Sequence, residues 1–119
     1  MEAHGAAARQ LLGEQSGVVA EIFEDVDSAQ IDDKLRALLV IAEKVRIDGR
    51  LVGESDVQAA REAGADDKAI HDTVLIAAMF SMFNRYVDGL ATWTPADPAV
   101  YDEIGQRLAN KGYGSRFRE

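Results

Sequence analysis

Apolar positions along this chain recur with a helical period. Leu35, Leu38, Leu39, Ala42 and Val45 follow one another at spacings of three and four, which predicts a helix opened by Asp32 or Asp33 with one buried stripe. Lys34, Arg36, Glu43, Lys44 and Arg46 fill its polar side, and Ile47-Asp48-Gly49 ends it, with Gly49 as the expected left-handed closing residue. Ser55-Asp56-Val57-Gln58 matches a capping box, predicting a compact helix over 56–63 stopped by Gly64. The next stretch, 65–93, has an apolar middle, Val74 to Phe83, with no polar face, and Asp66 and Asp67 supply its start. A helix of about 25 residues spans roughly 38 Å. One that is apolar all round must be covered on all sides, so part of the cover is expected from another copy of the chain. Thr92 to Pro98 supplies the stop.

The remaining segments read as shorter helices. Residues 2–12 form an alanine-rich helix ending at Gly13, and 17–24 a second with Val18, Val19, Ile22 and Phe23 inward. Asp97-Pro98 reads as a cap with proline in the first turn, leading into Val100, Tyr101, Ile104 and Leu108 as a last amphipathic helix. Residues 112–119, with their glycines and arginines, read as a frayed tail. No strand alternation, repeat or low-complexity tract is present. The expectation is an all-α chain: one helical domain over residues 1–111 around one long apolar helix, and a tail over 112–119.

Composition narrows the functional classes. A chain of 119 residues, 47% hydrophobic, can bury one core. Thirteen basic against 21 acidic residues give a net charge of -8, which opposes phosphate-backbone binding, so nucleic acid is not an expected partner. The apolar run is about ten residues, too short to span a bilayer, and with no charged and apolar leader at Met1 the expected location is cytoplasmic. The absence of cysteine leaves no thiol chemistry, disulfide or thiolate metal site to this chain.

Little local chemistry stands out. His4 and His71 are the only imidazoles; His71, beside Asp67 and Asp72, reads as a solvated helix residue. Two histidines without an H-x-x-E-H pattern make no zinc site. Glu21, Glu24, Asp25 and Asp27 lack the glycine spacing of a calcium loop, so no metal is expected. No nucleophile elbow, P-loop or dinucleotide fingerprint is present, and no cofactor is expected. Ala60, Gly64 and Ile70 fit the small residue, turn glycine and inward aliphatic of a helix-turn-helix. The helix that would read bases opens with Asp66, Asp67 and Asp72, which phosphates repel, so these positions read as helix packing.

Taken together, several segments resemble a known family. Leu35-Arg36-Ala37-Leu38-Leu39, Ala42-Glu43-Lys44, Ser55-Asp56-Val57 with Ala63-Gly64, Asp67 and Ile70, and Phe83-Asn84-Arg85 with Asp88-Gly89-Leu90 carry the resemblance. In order and spacing they are similar to the second half of the peroxidase-related branch of alkylhydroperoxidase D-like (AhpD-like) proteins, in the carboxymuconolactone decarboxylase-like superfamily. The similarity covers about residues 2 to 93. It implies an AhpD-like helical bundle, here N-terminally incomplete, that assembles as a homo-oligomer, a dimer or hexamer.

The family's motif is E-x(n)-C-x-x-C-x-x-x-H. Met1-Glu2-Ala3-His4 looks like the sequence after its second cysteine, which would stand immediately before Met1. The resemblance thus implies a thiol-dependent alkyl hydroperoxide reductase, an antioxidant oxidoreductase, with His4 as the remnant of its proton relay and no dithiol in this chain. The two thiols share one helical turn in such a motif, where the helix N-terminus favours a thiolate and a disulfide is within reach. Asn84 and Arg85 match the family's Asn-Arg pair and read as a structural polar pair. Phe80, Phe83, Tyr86 and Trp93 read as core or interface. Two other readings stay open: a non-catalytic oligomeric protein binding a small hydrophobic or peroxide ligand, and a decarboxylase-like enzyme, for which no residue speaks.

Overall fold

The computed structural model describes residues 2–116, and among them every regular element is helical. Six α-helices occur in the order α1 (Glu2–Leu12), α2 (Gly17–Glu24), α3 (Asp33–Ile47), α4 (Glu54–Glu62), α5 (Asp67–Gly89) and α6 (Pro98–Lys111). Short 3-10 turns occupy Gly13–Gln15, Gly49–Leu51 and Tyr113–Arg116. The helices form two compact units, Val26–Thr92 and, from both ends of the chain, Met1–Asp25 with Trp93–Glu119.

In the unit built from α3, α4 and α5, each helix start is fixed by a carboxylate. Asp32 accepts from the Leu35 amide at 2.7 Å and Asp66 from the Ala69 amide at 2.8 Å, as their sequence positions lead one to expect. The start of α4 differs from the expected capping box at Ser55. Gly53 is the cap, and its amide donates to Asp56 Oδ2 at 2.8 Å, so the helix begins two residues early at Glu54. The same carboxylate takes Lys44 Nζ from α3 at 2.6 and 2.8 Å. Lys44 and the Gly53 amide hold the Asp56 carboxyl below the usual aspartate range, and one charge thereby ties α4 to α3.

The helix ends show two local solutions. Gly49 does not close α3 in a left-handed conformation: Asp48 is extended, with φ of -161°, and its carboxylate caps the following 3-10 turn through the Arg50 amide. Gly64, at φ +94°, does close α4, with the Gly64 amide donating to Arg61 O and the Ala65 amide to Ala60 O, both at 2.9 Å. The core of this unit is Ile41, Ala60 and Ala65, with Leu38, Val45, Val52, Ile70 and Val74 packed against it. Ile41 is fully buried, a burial that stabilises by about 1.5–3 kcal/mol. Ala60 and Ile70 thus serve helix packing, and Gly64 closes α4.

Helix α5 stops at Gly89, four residues short of the expected Trp93. The Ala91 amide donates to Asp88 O at 3.0 Å and the Thr92 amide to Val87 O at 3.1 Å, around Ala91 at φ +50°. These bonds satisfy the last carbonyls, so the helix ends before the prolines are reached. No residue of α5 is fully buried. One side lies half-buried against α3, while Leu75, Ile76, Met79, Met82, Phe83 and Tyr86 are 41–65% exposed. No helix among the described residues is long and apolar enough to cross a membrane.

The other unit packs α1 against α6, with α2 beside α1. Asp97 caps α6 by accepting from the Ala99 amide at 3.0 Å, and Pro98 opens the helix. The α1–α6 crossing is close because Gly105 faces Ala6: an added Cβ would stand 2.5 Å from Ala6 Cβ and 2.7 Å from the Ala7 amide nitrogen. The expected tail over 112–119 begins with order: Gly112, at φ +64°, turns the chain into the Tyr113–Arg116 turn, and residues 117–119 lie outside the described residues.

Candidate functional site

His4 stands in the first turn of α1, half-buried. Three local features bring it a partner from the far end of the sequence. The small-residue crossing at Ala6 and Gly105 draws α6 onto α1, α6 runs to Lys111, and the left-handed Gly112 redirects the chain. The Tyr113 hydroxyl then lies 2.6 Å from His4 Nε2, with ring centroids 5.9 Å apart and tilted by 36°. The hydroxyl donates into Nε2 when the imidazole proton sits on Nδ1, and accepts when it sits on Nε2. Burial disfavours the imidazolium, and the amino-terminal charge acts in the same direction, so the His4 pKa lies below the usual imidazole value. At neutral pH the ring is a neutral base with a phenol against it.

Further along the same helix pair, Arg9 Nη2 lies 3.6 Å from Asp102 Oδ1, an exposed and therefore weak ion pair. A cavity of about 380 Å³ opens between α1 and α2, lined by Glu2, Gly5, Arg9, Ala20, Phe23 and Glu24. His4 is not among its lining residues; Glu2, Gly5 and Arg9 form another side of α1.

The polar pair Asn84 and Arg85 lies on α5. Asn84 is half-buried, while Arg85 is exposed and donates to Ser81 O at 3.4 Å within its own helix. His71 is exposed, with Nδ1 3.5 Å from Asp72 Oδ1, and Asp72 also pairs with Lys68. Among the described residues no group of three or more His, Asp or Glu side chains is placed to hold a metal ion.

Sequence reasoning missed two residues. Tyr113 lies in the segment expected as a tail, and its partner is 109 positions away; nothing local marks such a pairing. Arg36, read as part of a polar face, donates to the carbonyls of Val26, Asp27 at 2.7 Å, Ala29 at 2.9 Å and Ile31 at 3.2 Å. One guanidinium thus gathers four carbonyls of the segment that leads into α3. A guanidinium, with its fork of five donors, suits several carbonyls at once. No protein-family model, curated protein or solved structure matches this chain.

Proposed function

We propose that this chain is a subunit of the AhpD-like, peroxidase-related class, in which His4 occupies the proton-relay position of a dithiol hydroperoxide reductase. A chain without cysteine carries out no dithiol reduction by itself, so its own contribution is the helical scaffold and the relay base. A homo-oligomer, a dimer or hexamer, and a cytoplasmic location go with this reading. The observation that carries it is His4 at the head of α1: half-buried, with its pKa lowered, and held against the Tyr113 hydroxyl. A neutral imidazole one turn beyond a thiol pair is suited to take a thiol proton and return it to the departing alkoxide.

The balance of the reaction is simple. Two thiols and a hydroperoxide give a disulfide, an alcohol and water, and a second dithiol restores the pair. The test places Cys-Xaa-Xaa-Cys directly ahead of Met1 and measures hydroperoxide consumption with an excess of a small dithiol. The extended chain is expected to turn over, the original chain to be inert, and His4→Gln in the extended chain to lower the rate by about 10²-fold or more. A folded but inactive extended chain, or turnover by the original one, would overturn the reading.

A further inference from the structure

Helix α5 has two sides of different character. Ile70 and Val74 pack on the Ile41 cluster, and Ala77, Ser81 and Asn84 continue that half-buried side at helical spacing. The opposite side carries Leu75, Ile76, Met79, Met82, Phe83 and Tyr86, 41–65% exposed. At 3.6 residues per turn these six fall within about 60° of Met79. Taking about 200 Å² for a large apolar side chain, they leave on the order of 600 Å² uncovered, and Leu90 at the helix cap extends the stripe. That is at the upper end of the roughly 300–600 Å² expected of a monomer's largest apolar patch and close to the roughly 800 Å² per partner of a specific interface.

Charge decides which approach is open. The chain carries a net charge of -8, so two copies repel over most of their surfaces. From Thr73 to Asn84 α5 has no charged residue, which leaves this side as the neutral approach. We propose that a second copy of this chain covers the stripe, its α5 antiparallel to the first about a two-fold axis between Met82 and Phe83. This inference stands on α5 alone and goes beyond the family reading, which names an assembly but no face or direction.

In that register Leu75 meets the partner copy's Leu90, Met79 meets Tyr86, and Met82 meets Phe83. Two of these pairs set a methionine sulfur against an aromatic ring, a favourable contact. A parallel pair would set Lys68 against Lys68 and Asp72 against Asp72, since both lie on the same side of the helix as Met79. Antiparallel helices also place opposite dipole ends together.

The absence of native cysteine makes the test direct, because His71→Cys carries the only thiol and takes one spin label per chain. His71 is exposed on the flank of the stripe, outside the proposed contacts. The antiparallel pair is expected to give a label separation of about 35 Å from 1.5 Å per residue, and a parallel pair about 10 Å, the spacing of packed helices. Met79→Glu combined with Met82→Glu is expected to abolish the distance and leave monomers with unchanged helical circular dichroism. Should that variant lose helicity, Met79→Ala with Met82→Ala decides instead, with an expected weakening of association by tenfold or more. A short distance, a dimer indifferent to these substitutions, or a labelled chain that stays monomeric would each overturn the proposal.

Discussion

Single side chains with several partners hold the less regular parts of this protein. Arg36 joins four backbone carbonyls of residues 26–31, most of them part-buried, and losing a charged donor costs about 1.5–3 kcal/mol. Arg36→Met should therefore lower the stability of the Val26–Thr92 unit by about 2 kcal/mol, measured by denaturant unfolding; an unchanged midpoint would show that the segment is ordered by something else. His4 gives the pH dependence. Its folded pKa is depressed by burial, so the unfolded chain binds more protons near the usual imidazole pKa, and stability is full above that range. It is lost as pH falls below about 6.5. The His4 resonance should titrate below that value, and His4→Gln should flatten the fall in melting temperature on mild acidification. A midpoint at or above the usual value would contradict the burial argument. In the sequence only the family resemblance singles out His4, and nothing singles out Tyr113, because a partner 109 residues away is created only by the packing of α6 on α1.

At the scale of elements, two positions carry opposite expectations for glycine. Gly105 lies where α6 crosses α1 too closely for a side chain, with the obstacles partly backbone. Gly105→Ala gains helix propensity of about 1 kcal/mol but forces the helices apart, and overpacking of about 1–3 kcal/mol makes a net loss of stability the expected result. Ala91 is the reverse case: it adopts φ +50° to close α5, where a side chain is strained. Ala91→Gly should raise stability by about 1 kcal/mol in thermal or denaturant unfolding; a loss would show that the Ala91 methyl is worth more than the strain. The caps at Asp32, Asp66 and Asp97 and the stop at Gly64 were legible because each is a contact between near neighbours. The start of α4 was misread because Ser55 and Gln58 imitate a capping box, while Asp56 answers both the Gly53 amide and a lysine on another helix. Gly49 misled for the same reason: a glycine after a helix is a frequent closing residue, yet the Asp48 carboxylate ended α3 through the next turn.

For the molecule as a whole, the apolar pattern of α5 is the feature with the widest consequence. The sequence shows that residues 74–83 have no polar face, and the folded chain half-buries one side of the helix while leaving the other largely exposed. How the exposed side is covered is not written in periodicity, since a helix pattern records which positions avoid water and not which surface excludes it. A net charge of -8 disfavours the approach of two copies in general, and the stretch from Thr73 to Asn84 carries no charge. Self-association is read from the molar mass of the unmodified chain, measured by sedimentation across a dilution series at moderate salt. The expected result is a mass that is an even multiple of 12.9 kDa and falls only on strong dilution; a folded species that stays at 12.9 kDa at every concentration would contradict it.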